Sequence, residues 1–215
     1  MSLFKDEGQK AKIHKIYLLI SAGLIFSGVI VSLFLDGFGG LRYMTNLSNI
    51  LASVYLVTSF FLYGKKEIFK SYFSISTIIA ILITGLVFNF VIVPLTGYDP
   101  VFLSKDFARN YQNTVAHFFS VILVFINYFF FEKKGYFKFT HILAGMIFPL
   151  AYWVFFVTIG GIINFYPYFF MDVPEIGWGM TLVWLVILLA AFSVLGFLLL
   201  IIDKAMGKKY TTIIP

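Results

Sequence analysis

Residues 180–202 read MTLVWLVILLAAFSVLGFLLLII, a stretch with no charged side chain and only Thr181 and Ser193 as hydroxyls. A hydrocarbon core about 30 Å thick is crossed by roughly 20 residues of helix. Backbone groups in lipid have no water to bond to, so a spanning segment of this kind must be helical. Five further apolar runs of similar length precede it, at about 15–35, 43–63, 72–95, 109–131 and 140–163, each bounded by Gly, Pro, Asn, Asp or Lys clusters. The expected fold is therefore all-α, a polytopic integral membrane protein of six transmembrane helices. The chain, 1–215, reads as one domain without internal repeat or low-complexity segment.

Composition agrees with that expectation. The chain is 60% hydrophobic and 12% charged with a mean hydropathy of +0.94, against about 25% charge in soluble domains. The absence of cysteine excludes disulfides, thiolate metal sites and a cysteine nucleophile. The net charge of +6 resides in short loops, and no basic helix interleaved with stacking aromatics is present, so no nucleic-acid partner is expected. The segment up to Lys15 is too polar, and the run after it too long and without a small-residue cleavage site, for a removable signal peptide.

Positive charge orients the spans, because Lys and Arg in short loops favour the cytoplasmic side. Lys5, Lys10, Lys12, Lys15, Lys65, Lys66, Lys70, Lys133, Lys134, Lys138, Lys204, Lys208 and Lys209 fall on one face, leaving Arg42, Lys105 and Arg109 on the other. Both termini are thus expected in the cytoplasm, in a cell membrane and by preference a bacterial plasma membrane. Of the outer loops, one carries Gly97-Tyr98-Asp99-Pro100 and the last, 164–179, reads NFYPYFFMDVPEIGWG. The last is too apolar to stand free in water and is expected to lie across the outer end as a lid or interfacial cap.

Polar side chains at membrane depth are costly and face the protein interior. Thr45, Ser48, Asn49 and Ser53 share one face of the second span, with Asn46 at its margin, and Asn110, Asn113, His117, Ser120 and Asn127 form a stripe on the fourth. Asn89, Thr158 and Asn164 lie at similar depth to the outer members of both stripes. The pattern predicts an outward-half cavity, although such residues also serve as interhelical hydrogen bonds worth about 0.6 to 2 kcal/mol each. His117 is a lone imidazole in an apolar span, able to accept a proton near neutrality. His14 and His141 lie towards the opposite leaflet, poorly placed to share a haem with His117, and without HxxxH, HExxH or Cys no protein-built metal site is expected. A Thr hydroxyl becomes nucleophilic when a neutral His takes its proton, so Thr45 and His117 are candidate catalytic residues. On the residues alone, Ser48 and Ser53 compete with Thr45. Asn46, Asn49 and Asn113 are candidate oxyanion donors or polar pocket residues. Asn89, Tyr166, Tyr168 and Asp172 are candidate pocket or lid residues, the tyrosines either shaping a pocket or anchoring the loop at the headgroups, Asp172 either orienting His117 or solvating the interface.

The pieces RYMTNLSN at 42–49, NTVAH at 113–117 and PLAYWVFFVTIGGIINFYPYFFMDV at 149–173 resemble a bacterial family of six-span membrane proteins. That family is more distantly similar to the animal androgen-induced proteins and the androgen-dependent regulator of tissue factor pathway inhibitor. The resemblance implies an intramembrane threonine hydrolase of fatty acid esters of hydroxy fatty acids, with Thr45 as nucleophile and His117 as base. The animal motif looks like N-H-x-x-H, in which Thr114 stands for the first His, and Ile159 stands where many bacterial relatives carry an Arg. The expected substrate is an amphipathic lipid ester reached from the membrane, with no cofactor. The rival expectation is a small transporter or lipid-binding protein; against it, the predicted spans contain no acidic residue and no inverted repeat.

Overall fold

The computed structural model describes residues 6–64, 67–96 and 106–211. Lys5, Lys65, Lys66, Lys105 and the 97–100 turn lie outside the described residues, as do the side chains of Lys70, Lys208 and Lys209. Among the described residues the chain is all-helical, without a strand.

Helix α1, Glu7–Asp36, begins eight residues before the apolar run because Asp6 caps it, its carboxylate accepting from Gln9 N at 2.6 Å. Gly37, at φ 57°, ends it. A 3-10 turn, Gly37–Arg42, leads into α2, Met44–Phe61, whose N-terminus has no side-chain cap. Helix α3, Glu67–Val87, runs through a π turn at Phe88–Ile92 into α4, Val93–Thr96. Pro94 has no N–H to complete the α-helical ladder onto Phe90, and the wider π turn accommodates that gap. The next rod is α5, Phe107–Thr114, a π turn at Val115–Phe119, α6, Ser120–Ile126, and a second π turn at Asn127–Phe131.

Helix α7, Phe139–Ile163, contains Pro149 and stops at Asn164 in the left-handed conformation. The loop after it holds a short 3-10 turn, Phe169–Met171, and Asp172 then caps α8, Val173–Thr211, by accepting from Glu175 N at 3.2 Å. Gly177, at φ 75°, breaks α8 near its start. The long apolar stretch read as 180–202 is therefore the part beyond that break.

Among the described residues, five segments are long and apolar enough to cross a membrane: Glu7–Arg42, Tyr72–Leu95, Phe107–Phe131, Phe139–Ile163 and Val173–Gly207. Helix α2 is not among them, since its 18 residues include Thr45, Asn46, Ser48, Asn49 and Ser53. The sequence pattern expects six spans; length and apolarity in the structure support five.

Helix α1 lies against α2 and α5, and α3 against α2, α6, α7 and α8. The spanning windows of Tyr72–Leu95 and Phe107–Phe131 are each 44% buried and that of Val173–Gly207 only 17%, so α3 and the α5–α6 rod are central and α8 is peripheral. The main core gathers Leu18, Ile25, Leu56, Ile78, Ile79 and Val124. A second cluster, Met44, Tyr152, Trp153, Phe156, Phe170 and Met171, ties the aromatic loop down over α2 and α7. The loop thus closes the lysine-poor end of the bundle.

Candidate functional site

The lysine-poor end contains a cavity of about 580 Å3. Thr45 and Asn46 reach it from α2, Arg109, Gln112 and Asn113 from α5, His117 from the first π turn of that rod, and Tyr168 from the aromatic loop. Of the three hydroxyls weighed as nucleophile, Thr45 lines this cavity. Ser48 is fully buried and Ser53 donates to Asn49 O at 2.9 Å; neither is on the cavity wall.

His117 is stacked on Phe88, ring centroids 3.8 Å apart and planes 7° from parallel. Two π turns therefore meet here, one carrying each ring. Its Nδ1 is buried without a hydrogen-bond partner. In the tautomer that carries its proton on Nε2, Nδ1 keeps a lone pair. That is the tautomer a general base needs.

Thr45 lies in the first turn of α2, where backbone N–H groups have no partner within the helix. Tyr168 reaches this spot: its hydroxyl oxygen faces the Thr45 hydroxyl and the backbone N–H groups of Thr45 and Met44 as donors. Burial pushes the Tyr168 phenol up to about 12, so it is a neutral hydroxyl at physiological pH. A neutral phenol thus sits at the α2 N-terminus beside Thr45, with its own proton to offer to developing negative charge.

The asparagines divide. Asn46 Nδ2 donates to Ser32 Oγ and to Gly40 O, both at 2.7 Å, holding the 3-10 turn against α1 and α2. Asn49 Nδ2 donates to Thr45 O at 2.8 Å and across to Ala116 O at 3.2 Å, joining α2 to the rod that carries His117. These bonds occupy the N–H groups that an oxyanion would require. Asn113 lines the cavity. Asn89 donates to Gly85 O at 2.8 Å and is not on the wall. Tyr166 packs over Gly160, where an added Cβ would meet its ring at 2.3 Å. Asp172 serves as the α8 cap, away from His117's cavity.

Several features were not read from the sequence. Arg109 grips Asp36 bidentately, at 2.7 and 2.8 Å, beside the cavity. Three cations on the lysine-poor face and a lone Asp at the end of the first span were the available signal. A second polar centre occupies the lysine-rich end. There His14 Nε2 bonds to Asn127 Oδ1 at 2.8 Å, and Glu132 accepts from Tyr55, from Asn127 at 2.6 Å and from Ser74 at 2.7 Å. Asp203, wholly buried, accepts from Tyr128 at 3.1 Å and from Phe137 N at 2.9 Å. Both acids follow immediately after predicted spans and fold back into the bundle. His141 begins α7, its Nδ1 accepting from Lys138 N at 3.4 Å.

A second, apolar cavity of about 60 Å3 adjoins the first, sharing Thr45, Ile92 and Tyr168 as a common wall. Fold and cavities together define an all-helical bundle with membrane-length apolar helices and a half-enclosed polar chamber at one end. Comparison with protein-family models, curated proteins and solved structures finds no match to this chain.

Proposed function

We propose that this chain is an intramembrane hydrolase of lipid esters, such as fatty acid esters of hydroxy fatty acids, with Thr45 as nucleophile and His117 as base. The observation that carries the reading is one cavity walled by both residues, with His117 Nδ1 unpartnered and the Tyr168 hydroxyl at Thr45. The likeness to the androgen-induced family supports the same assignment. In this reading the protein crosses a bacterial plasma membrane six times, α2 included, with both termini cytoplasmic.

In the first half-reaction the Thr45 Oγ proton passes to His117 Nδ1 as Oγ bonds to the ester carbonyl carbon. Negative charge gathers on the carbonyl oxygen, where the Tyr168 hydroxyl stabilises it. The C–O bond to the alcohol breaks, the departing alkoxide takes the proton from His117, and an acyl-Thr45 remains. Water from the chamber then gives a proton to His117 and attacks the acyl carbon; fatty acid leaves and Thr45 recovers its proton. No other reactant is required.

The test is release of fatty acid from a hydroxy-fatty-acid ester by proteoliposomes of wild type, Thr45→Ala, His117→Ala and Ser48→Ala. Loss in the first two variants with retention in the third supports the reading; equal release in all four refutes it. Orientation is tested separately, because the chain has no cysteine. Lys133→Cys should be shielded from a membrane-impermeant maleimide in intact cells and Phe38→Cys modified.

A second reading, a small transporter or lipid-binding protein, draws on the cavity of about 240 Å3 at the lysine-rich end, where Glu132 and His14 lie opposite the outer chamber. Substrate-dependent uptake without ester hydrolysis would favour it.

A further inference from the structure

At the lysine-rich end, α1, α2, the end of the α5–α6 rod and the turn after it line a cavity of about 240 Å3, the liquid volume of about eight waters. Asn127 on its wall is separated from His117 by about 15 Å of helix. Tyr63, Phe131, Tyr136 and Phe137 supply aromatic walls, and Glu7 and Glu132 supply carboxylates. Glu132 is already engaged, since it accepts from Tyr55, from Asn127 at 2.6 Å and from Ser74 at 2.7 Å. A carboxylate has about four lone-pair sites, so Glu132 offers the cavity charge more than hydrogen-bond capacity. Tyrosine rings at this end already hold ammonium groups: Lys15 Nζ lies 5.2 Å from the Tyr63 centroid and Lys134 Nζ 3.8 Å from that of Tyr128. An aromatic face attracts a cation through its quadrupole, and the attraction grows as water is excluded.

We infer that this cavity binds a small quaternary ammonium group, either a free cation of the choline type or the same group on a lipid headgroup. An ammonium with N–H groups needs acceptors, and Glu132 has given its own to Tyr55, Asn127 and Ser74. A quaternary nitrogen needs only charge and apolar faces, which this wall presents. Against an anion stand Glu7 and Glu132, with Lys133 as the opposing charge on the same wall. The site lies at the other end of the bundle from Thr45 and does not rest on the hydrolase reading.

Equilibrium binding of tritiated choline to the full-length protein in phosphatidylglycerol nanodiscs, whose lipid carries no amine, tests this. Saturable binding is expected, with unlabelled choline displacing the label at least about tenfold better than dimethylbutanol, its uncharged carbon analogue, and better than ethanolamine, whose nitrogen carries N–H groups. Glu132→Gln, which keeps the shape and removes the charge, should weaken binding about three- to tenfold. Tyr136→Leu, at an exposed position where folding is little affected, should do the same. Lys133→Gln should bind at least as tightly as wild type. Nanodiscs of phosphatidylcholine separate the two sources: reduced choline binding there identifies the lipid headgroup as occupant, and unchanged binding the free cation. Absence of saturable binding, equal displacement by dimethylbutanol or ethanolamine, or full affinity in both Glu132→Gln and Tyr136→Leu would overturn the inference. So would weaker binding in Lys133→Gln, the behaviour of an anion site.

Discussion

Gly28 of α1 sets how closely α1 approaches the rod that carries His117. A Cβ built there would lie 2.8 Å from Val115 Cγ1 and 3.1 Å from Val115 Cβ, and Val115 is wholly buried. A β-branched side chain in a helix has one favoured rotamer, so Val115 has little room to turn away. Gly28→Ala should cost about 1–3 kcal/mol through overpacking and recover about 1 kcal/mol through helix propensity, for a net destabilisation of about 0–2 kcal/mol. Val115→Ala alone should cost about 1–3 kcal/mol through the space it leaves. Combined, the new methyl group enters the space vacated by valine, and the pair should be less damaging than the sum by about 1–3 kcal/mol. Reversible unfolding of detergent-purified variants measures this coupling. Because Val115 opens the π turn that holds His117, ester hydrolysis should fall in Gly28→Ala and recover in the double variant. Effects that add within about 0.5 kcal/mol would refute the contact.

Three further outcomes follow from the same geometry. Asp203→Ala strands the Phe137 N–H and the Tyr128 hydroxyl; at about 1–3 kcal/mol for each buried group it should lower the melting temperature clearly more than Asp203→Asn, measured by fluorescence-detected size exclusion after heating. Burial lowers Lys134 from 10.5 to about 8, against the opposing pull of Glu132 and Asp203. Between those values the unfolded chain holds the proton and the folded chain does not, so stability should rise with pH over that window, and the rise should vanish in Lys134→Gln when melting is followed across the pH series. Tyr168→Phe removes the hydroxyl bonded to Thr45 and should reduce kcat for ester hydrolysis by about 10- to 1000-fold with KM little changed; an unaltered kcat would exclude Tyr168 as an oxyanion donor.

The helices were legible because each apolar run satisfies a length requirement imposed by the bilayer, whatever its neighbours do. Helix α2 illustrates the limit. The Asn and Ser residues that mark its interior stripe also reduce its apolarity, so one feature both reveals the chamber and weakens the span. The chamber was legible to the extent that helical spacing groups side chains on one face, as with Thr45 and Asn49 or Asn113 and His117. What spacing cannot convey is how a helix is rotated against another or where a loop returns. Asn46 turns to Ser32 and Gly40, Tyr168 comes back onto the first turn of α2, and Glu132 folds under Tyr55. The backbone donors at the α2 N-terminus have no side-chain signature at all.

The most direct test of the account is the site of covalent labelling by a fluorophosphonate, read by peptide mass spectrometry on the purified wild type and on His117→Ala. The account predicts phosphonylation at Thr45 in the wild type and its loss in His117→Ala, because the hydroxyl attacks only when Nδ1 removes its proton. Modification at Ser48 or Ser53 instead, or labelling of Thr45 unaffected by His117→Ala, would contradict it.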